Sequence, residues 1–272
     1  MPSLTLDTPE LAEQYDRVSD LQYEHGQHLL NALQLKPGET LLDVGCGTGR
    51  LTAFAARHFI GPTGRVLGID PLPLRIDIGR RRAEELGLAQ LSFNVGQAEA
   101  LHAVADASAD AVVLNSVYHW LPDKAPALAE AIRVLKPGGR IAISSASRER
   151  PHDVQRLVSE VLAEAGLGRG QGSGSTPHKV SFGELAFQLE SAGFHVDEIR
   201  LRRFADRFAD ADSVLAFNQS SSFGNFLGEF LPQVRQQLIA RFNERLQAHR
   251  DERGILLHRN LLFAVAHKPA TR

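Results

Sequence analysis

The residues best suited to chemistry lie in one short stretch, LNSVYHWLPD, at residues 114–123. It contains the only tryptophan of the chain and one of its three tyrosines, together with a histidine and an asparagine. His119 can exchange a proton near neutral pH, so we expect it to act as a general base or to orient a reacting group. Tyr118 is the alternate for that role. The competing interpretation is structural, a strand end followed by the start of a helix.

A second candidate lies upstream, where LLDVGCGTG places three glycines at the end of an apolar run. Glycine permits positive φ and lets a ligand approach the backbone closely, and a helix that starts behind the loop adds unpaired N–H groups. The spacing excludes a dinucleotide fingerprint, because the sixth position counted from Gly45 is Arg50. A tight turn without a ligand is the weaker alternative.

The sequence predicts alternating strands and helices, and these elements must position the candidate residues. Short apolar runs alternate with amphipathic helical segments, which is typical of a parallel sheet with helices on both faces. Helical spacing over residues 10–33 predicts one or two leading helices. The predicted strands are 40–45, 65–70, 91–95, 110–114, 139–145, 194–203 and 254–267. The predicted helices are 48–58, 73–87, 123–135, 153–165 and 181–192, followed by a mostly helical stretch over 206–252.

The pattern D-x-G-x-G-x-G at residues 43–49 resembles the first motif of class I S-adenosylmethionine-dependent methyltransferases, in their small-molecule branch. The resemblance extends over residues 36–145. RVLGID resembles the second strand with its acidic end, FNVGQAE the segment that holds adenine, and VLKPGGR the loop before the fifth strand. It implies a Rossmann-like α/β fold, with a seven-stranded, mostly parallel sheet and helical cap insertions. It also implies that the last strand is antiparallel and lies beside the fifth.

The resemblance also implies S-adenosyl-L-methionine as the cofactor, with S-adenosyl-L-homocysteine as the product. Asp70 would accept hydrogen bonds from the ribose hydroxyls, Gln97 would accept from the adenine amino group, and Asn115 would lie beside the methionine moiety. All of these residues follow strand ends, where open parallel sheets bind ligands. The implied cofactor-binding set is Asp43, Gly45, Cys46, Gly47, Gly49, Asp70, Pro71, Gln97, Ala98 and Asn115.

The remaining segments are predicted to hold the acceptor within a single domain, 1–272. Its parts are an N-terminal helical lid (1–35), the cofactor-binding core (36–145), a flexible insertion (146–180) and a phenylalanine-containing helical substrate cap (206–252). The glycine–serine run 166–175 could be a linker or a mobile loop at the site, and the phenylalanines could form core or an apolar pocket. Predicted acceptor-binding residues are Tyr15, Tyr23, Tyr118 and His119, with simple packing as the alternative for the first two.

Composition and net charge restrict the classes of partner that we expect for this chain. A net charge of −2 and a pI near 6.6 lack the basic footprint of a nucleic-acid-binding protein, and Arg80, Arg81 and Arg82 are interpreted as a solvated helix face. The single cysteine excludes an internal disulfide and a cysteine-based metal site, and the histidine pairs 25/28 and 258/267 are interpreted as surface or satisfied residues. We therefore expect no metal. No signal-peptide pattern and no apolar run of ~20 residues occurs, so we expect a cytoplasmic protein without a membrane partner.

The leading hypothesis is methyl transfer to a small-molecule acceptor by in-line displacement. Methylation of RNA or protein is an alternative, because Asn115-Ser116-Val117-Tyr118 faintly echoes an N-P-P-Y motif without its prolines. A non-methylating S-adenosylmethionine-binding protein is another. The sequence leaves the acceptor atom and the oligomeric state open.

Overall fold

The computed structural model describes residues 8–167, 177–220, 227 and 230–270. Two helices precede the sheet, as predicted: α1 (Pro9–Val18) and α2 (Asp20–Ala32). The Thr8 hydroxyl accepts a hydrogen bond from the Leu11 N–H at 3.2 Å and caps α1. Residues 168–176, which include most of the predicted glycine–serine run, lie outside the described residues, as do Phe223 and Phe226 of the predicted cap.

Within the described residues, eight strands form one sheet in the order β3-β2-β1-β4-β5-β8-β6, and β7 pairs with β8. The first five strands are parallel, and β8 runs antiparallel between β5 and β6. The predicted fold class is therefore confirmed, with the short β7 as an addition. The strands are β1 (Thr40–Val44), β2 (Arg65–Asp70), β3 (Leu91–Val95), β4 (Ala109–Asn115), β5 (Leu135–Ala146), β6 (His195–Phe208), β7 (Arg250–Asp251) and β8 (Gly254–His267).

Helices cover the sheet and form the cap. The helix after β1 ends in a π-helical turn, Ala56–Ile60, and a 3₁₀ turn follows β4 at Tyr118–Trp120. Another 3₁₀ turn, Gln247–His249, precedes β7. The remaining helices are α3 (Arg50–Ala55), α4 (Pro73–Glu85), α5 (Ala125–Val134), α6 (Asp153–Glu164), α7 (Phe182–Ser191), α8 (Ala211–Ser220) and α9 (Pro232–Leu246).

One boundary matters for function. The predicted helical cap begins at residue 206, but β6 continues to Phe208 because Phe204 to Phe208 pair with β8, from Arg259 back to Ile255. Pairing with a strand so distant in sequence overrides the local pattern. As a result, Asp206 lies on the sheet and not on a cap helix.

The core has three parts. Two apolar clusters cover the two faces of the sheet, and a third joins α6, α8 and α9 over the ends of β6 and β8. Phe242 is completely buried in this third cluster, so that member of the predicted aromatic stripe belongs to the core. In the described part of the chain, no helix combines the length and the apolar character that a bilayer span requires.

Candidate active site

A cavity of about 300 Å³ follows the carboxyl edge of the sheet, from the ends of β1 and β2 past β4 to β6 and β8. The part that we call the distal end is lined by β6, β8, α6 with the segment before it, α8 and the 3₁₀ turn after β4. A smaller recess of about 40 Å³ adjoins the cavity and contains Asp43, Cys46 and Tyr23. Predicted site residues that line the main cavity are Tyr15, Gly45, Gly47, Asp70, Pro71, Gln97, Ala98, Asn115 and His119.

The glycine loop, residues 45–49, is shaped by the neighbouring strand ends. Gly45, Gly47 and Gly49 all have positive φ, between 56° and 76°. The Gly47 N–H donates to Asp70 Oδ2 at 2.9 Å, so the carboxylate that ends β2 also orders the loop. A Cβ at Gly49 would lie 2.4 Å from the Phe93 ring. Gly49 therefore supports the loop by packing and does not line the cavity.

Two buried groups behind the loop have shifted acidities. Burial raises the pKa of Asp43 to about 7, although a hydrogen bond from the Thr52 hydroxyl at 2.7 Å opposes this and the Asp70 charge adds to it. Burial, with the Asp70 and Asp43 charges, raises the pKa of the Cys46 thiol well above its ordinary value. A thiol with such a pKa is a poor nucleophile, so Cys46 contributes its small size and its backbone.

His119 lies at the cavity with one ring nitrogen occupied. Its Nδ1 accepts a hydrogen bond from the Ala146 N–H at 3.2 Å, so the neutral ring carries its proton on Nε2. Burial, followed by the charges of Arg259, Lys124 and Lys179, lowers the pKa of His119 to about 3. The ring is therefore neutral at physiological pH and offers a donor. The geometry favours the orienting role predicted for His119 over the role of base.

Tyr118 is not brought to the cavity, contrary to its predicted catalytic and acceptor-binding roles. Successive side chains of a 3₁₀ turn point in different directions, and here His119 and Trp120 line the cavity while Tyr118 enters the core. The Tyr118 hydroxyl donates to Gln188 Oε1 at 2.7 Å, and burial raises its pKa far above the ordinary value. Trp120, which we expected to pack under the following helix, lines the cavity beside His119.

The two lid tyrosines have different surroundings. Tyr15 lies over the guanidinium of Arg75, with 4.0 Å between the carbon Cζ and the ring centroid, and it lines the cavity next to Gly47. Tyr23 packs edge-on against Phe54, with ring centroids 5.7 Å apart. Tyr15 thus lies near the glycine loop, and Tyr23 mainly fastens α2 to the core.

Ion pairs hold the lid on the glycine loop. Asp16 of α1 accepts from the Thr48 hydroxyl at 2.5 Å, and its two carboxylate oxygens accept from Arg82 Nη2 at 2.9 and 2.8 Å. Arg50 donates to Asp20 at 2.5 Å. We call the contacts of Asp16 with Thr48 and Arg82 the lid clasp. Arg82 was predicted to lie on a solvated face together with Arg80 and Arg81, and its pairing with Asp16 corrects that interpretation.

The distal end contains a buried charged group that the sequence did not predict. Arg259 Nε donates to Asp206 Oδ2 at 2.8 Å, and Nε2 of His25 lies 3.2 Å from Asp206 Oδ1. The His25 ring also packs on Phe204, with centroids 3.9 Å apart. His25 and Asp206 are 181 positions apart in sequence, so no local motif could join them.

An exposed group elsewhere comes nearest to a metal site among the described residues. Asp197 lies 2.8 Å from Nδ1 of His267 and 3.6 Å from Nδ1 of His195. His195 begins β6, at the edge of the sheet opposite the cavity, and pairs with His267. His267, which we interpreted as a surface or satisfied residue, has Asp197 as its partner. The group takes no part in the site.

The sequence model of the family described as "methyltransferase domain" matches residues 35–174, just over half of the chain. The chain belongs to this methyltransferase family. The match covers β1 to β5, the glycine loop and the stretch that contains His119, which are the elements that form the loop side of the cavity. The matched region is an S-adenosylmethionine-dependent methyltransferase domain.

Individual relatives differ in coverage. The methyltransferase is 27% identical over 229 residues to a trans-aconitate 2-methyltransferase from Methylobacterium radiotolerans. That match covers 81% of this chain and 82% of the relative. It is 32% identical over 167 residues to an arsenite methyltransferase from Halobacterium salinarum, and that match covers 61% of this chain and 39% of the relative. The chain spans less than half the length of several curated relatives that it matches.

A solved structure shares the fold. Geranyl diphosphate C-methyltransferase from Streptomyces coelicolor, in complex with Mg²⁺, geranyl-S-thiolodiphosphate and S-adenosyl-L-homocysteine, superimposes on the methyltransferase with a TM-score of 0.55. The two are 18% identical, and the match covers 90% of this chain and 75% of that one.

The residues of the methyltransferase fit the methyl donor. The buried Oε1 of Gln22 has no hydrogen-bond partner among the described residues, and Gln22 lines both the cavity and the recess beside Gly45 and Asn115. Such an acceptor suits the amino group of a methionine moiety. Gln22 lies in α2, where the sequence offers no signal that separates it from other polar helix residues.

Proposed function

We propose that this methyltransferase transfers a methyl group from S-adenosylmethionine to a small-molecule acceptor held at the distal end of the cavity. One observation carries the proposal: a single cavity joins the glycine loop to the distal end. When bound, the cofactor supplies an electrophilic methyl on a sulfonium. The protein then has to align the acceptor with that methyl and exclude water.

The cofactor-binding assignments become specific in this geometry. Asp70, Pro71, Gln97 and Ala98 line the part of the cavity at the ends of β2 and β3, and they would hold the adenosine portion. The set Gly45, Gln22, Asn115 and Asp43 would hold the methionine portion. Asn115 is itself fixed, because its amide donates to the main-chain carbonyl of Gln22 at 2.9 Å and its oxygen accepts from the Ser144 hydroxyl at 2.8 Å.

His119 and Trp120 would orient the acceptor. His119 presents the Nε2–H of a neutral ring, and Trp120 lies beside it with ring centroids 4.8 Å apart. Because His119 offers a donor and not a free lone pair, we propose a reaction in which no proton moves to this ring. An acceptor that is already ionised or has a free lone pair meets that condition.

The small-molecule assignment has support from the relatives as well. The trans-aconitate and arsenite methyltransferases act, by name, on small molecules.

The test has a binding arm and a transfer arm. Calorimetry should give saturable binding of S-adenosylmethionine, and Asp70→Ala should raise the Kd by at least about tenfold because Asp70 orders the loop and lines the cavity. Asp77→Ala is the matched control, an aspartate with a side chain 59% exposed that pairs with Arg80 on α4. Its Kd should match that of the unaltered enzyme.

In the transfer arm, the enzyme is incubated with a small-metabolite extract and methyl-labelled cofactor, and the products are read by mass. Label in a small molecule is the expected result. Label confined to RNA or protein, or tight cofactor binding with no transfer to any fraction, would overturn the proposal.

A further inference from the structure

We infer that the acceptor carries a carboxylate and that Arg259 binds it at the distal end of the cavity. This inference rests on the proposed function, since it names the class of small molecule that the distal end takes. It concerns recognition, and it assigns Arg259 as a specificity-determining residue.

Arg259 presents a fork of donors to the cavity. Its side chain is 16% exposed and lines the cavity, and Nε is occupied by Asp206 at 2.8 Å. Among the described residues, neither terminal nitrogen has a hydrogen-bond partner. The guanidinium lies over the Phe217 ring, with 4.8 Å between Cζ and the centroid, which restricts its plane. A planar pair of N–H groups matches the two oxygens of a carboxylate.

Asp206 and His25 hold this guanidinium in place. Burial raises the pKa of Asp206, but the hydrogen bond with His25 and the charge of Arg259 outweigh it and leave the pKa below its ordinary value. Asp206 is therefore an anion with both oxygens occupied. Asp206 thus fixes the Nε side of the guanidinium, and the terminal nitrogens of this cavity-lining residue keep their donors for a ligand.

Two neutral histidines add donors to the same end. Nδ1 of His119 accepts from the Ala146 N–H at 3.2 Å, and Nδ1 of His152 accepts from the Asn260 N–H at 3.1 Å. Each ring therefore carries its proton on Nε2, the nitrogen away from the main chain. Burial first, and then the Arg259 charge, lowers the pKa of His152 well below 6.5, as it does for His119. Both rings line the cavity as donors.

The balance of charges favours a monoanion with an apolar body. Among the described residues that line the distal end, Arg259 is the one arginine or lysine, and Asp206 accepts a hydrogen bond from its Nε. His119 and His152 are neutral, and the third histidine there, His258, has its Nδ1 3.2 Å from Asp153. Val158, Phe208, Phe217 and Leu257 line the same end and offer an apolar wall. A diphosphate would add more negative charge than one arginine that is already paired with Asp206 can balance. An amphipathic monocarboxylic acid adds a single charge and matches both the terminal guanidinium donors and the apolar wall.

The test uses matched ligands on the full-length enzyme with S-adenosylhomocysteine bound. Short-chain and phenyl-substituted monocarboxylic acids are each compared with the corresponding primary amide and the corresponding alkyl diphosphate, by thermal shift. Acids that fit should raise the Tm, and the amides and diphosphates should not. Acids that give no larger shift than their amides would overturn the inference, and so would a preference for the diphosphates.

Variants then assign the effect to Arg259. Arg259→Gln should weaken binding of the best acid by at least about tenfold, while the Kd for S-adenosylmethionine stays within about twofold. Arg259→Lys keeps the charge beside Asp206 and guards against misfolding; it should bind the acid more weakly than the unaltered enzyme and more strongly than Arg259→Gln. The control is Arg207→Gln, which removes an exposed partner of Asp251. Equal acid affinity in all four proteins would overturn the assignment.

The outcomes separate the two proposals. Loss of cofactor binding or of methyl transfer to every small molecule would contradict the proposed function. Methyl transfer to neutral molecules at full rate, with Arg259→Gln unaffected, would contradict only the carboxylate inference.

Discussion

The Ala146 N–H on β5 donates to Nδ1 of His119, at a distance of 3.2 Å. This contact decides which ring nitrogen holds the proton, and therefore what the ring can do in the cavity. A histidine that receives a main-chain hydrogen bond on Nδ1 presents a donor on Nε2. Under the proposed function, His119 would therefore align an acceptor and take no proton from it.

The same contact predicts a pH dependence of stability. The pKa of His119 is about 3 in the folded enzyme against 6.5 for an ordinary histidine, so the unfolded chain takes up a proton first as the pH falls. The contribution of this residue is complete above pH 6.5 and is lost on acidification. It should reduce the free energy of unfolding by about 2 kcal/mol between pH 7 and about pH 5.

Urea unfolding of the cofactor-free enzyme and of His119→Gln at both pH values measures this loss. Other titrating groups are common to the two proteins, so their difference isolates His119. An identical pH dependence in both would contradict the assigned ring state.

Asp43 should act in the opposite direction. Its pKa is raised to about 7 in the folded enzyme from 3.8, so the folded state holds the proton longer and stability is lost as the pH rises from about 4 through 7. Asp43→Asn keeps an acceptor for the Thr52 hydroxyl and removes the buried charge. We expect it to raise the Tm of the cofactor-free enzyme at pH 8 and to weaken binding of S-adenosylmethionine. A lower Tm at pH 8 would contradict this account.

Tyr118 should be dispensable for turnover. Tyr118→Phe removes the hydrogen bond to Gln188 in the core and leaves the cavity unchanged, so we expect a loss of about 1 kcal/mol of stability. The kcat and KM should be unaltered once an acceptor is known, and the Kd for S-adenosylmethionine should be unaltered before that. A large fall in kcat with normal stability would return Tyr118 to the site.

Loosening the lid clasp should speed release of the cofactor. Asp16→Ala removes the contacts to Thr48 and Arg82, whose side chains hold α1 on the glycine loop. The pair is only partly buried, and we expect about a fivefold rise in the Kd for S-adenosylmethionine, mainly through the dissociation rate measured by stopped flow. Asp20→Ala, which removes a carboxylate that is 64% exposed, is the control and should have little effect. Equal rates in both variants would exclude the clasp.

The loop side of the site was predictable from sequence because its signals are local. A strand end, a glycine or an acidic residue can be recognised within a few positions, and the carboxyl ends of parallel strands meet at one edge. That reasoning predicts that Asp70, Gln97 and Asn115 lie together at this edge, and all three line the cavity.

The distal side was not predictable from sequence, because its contacts are not local. Asp206, His25 and Arg259 meet only through strand pairing and packing between distant segments. The orientation of Tyr118 depends on a single 3₁₀ turn, and no periodicity in the sequence predicts that turn.

β8 lies between β5 and β6, although the ribosome makes it after both. The glycine loop, Asp70 and Asn115 all belong to the first 115 residues, whereas Arg259 arrives on the last strand. The two ends of the cavity are therefore completed at different times during synthesis. A chain that stalls before residue 254 has the groups for the methyl donor, lacks the arginine at the far end, and leaves the facing edges of β5 and β6 open to strands of other chains. The insertion of β8 therefore completes the distal end and, in the same step, covers the strand edges that could aggregate.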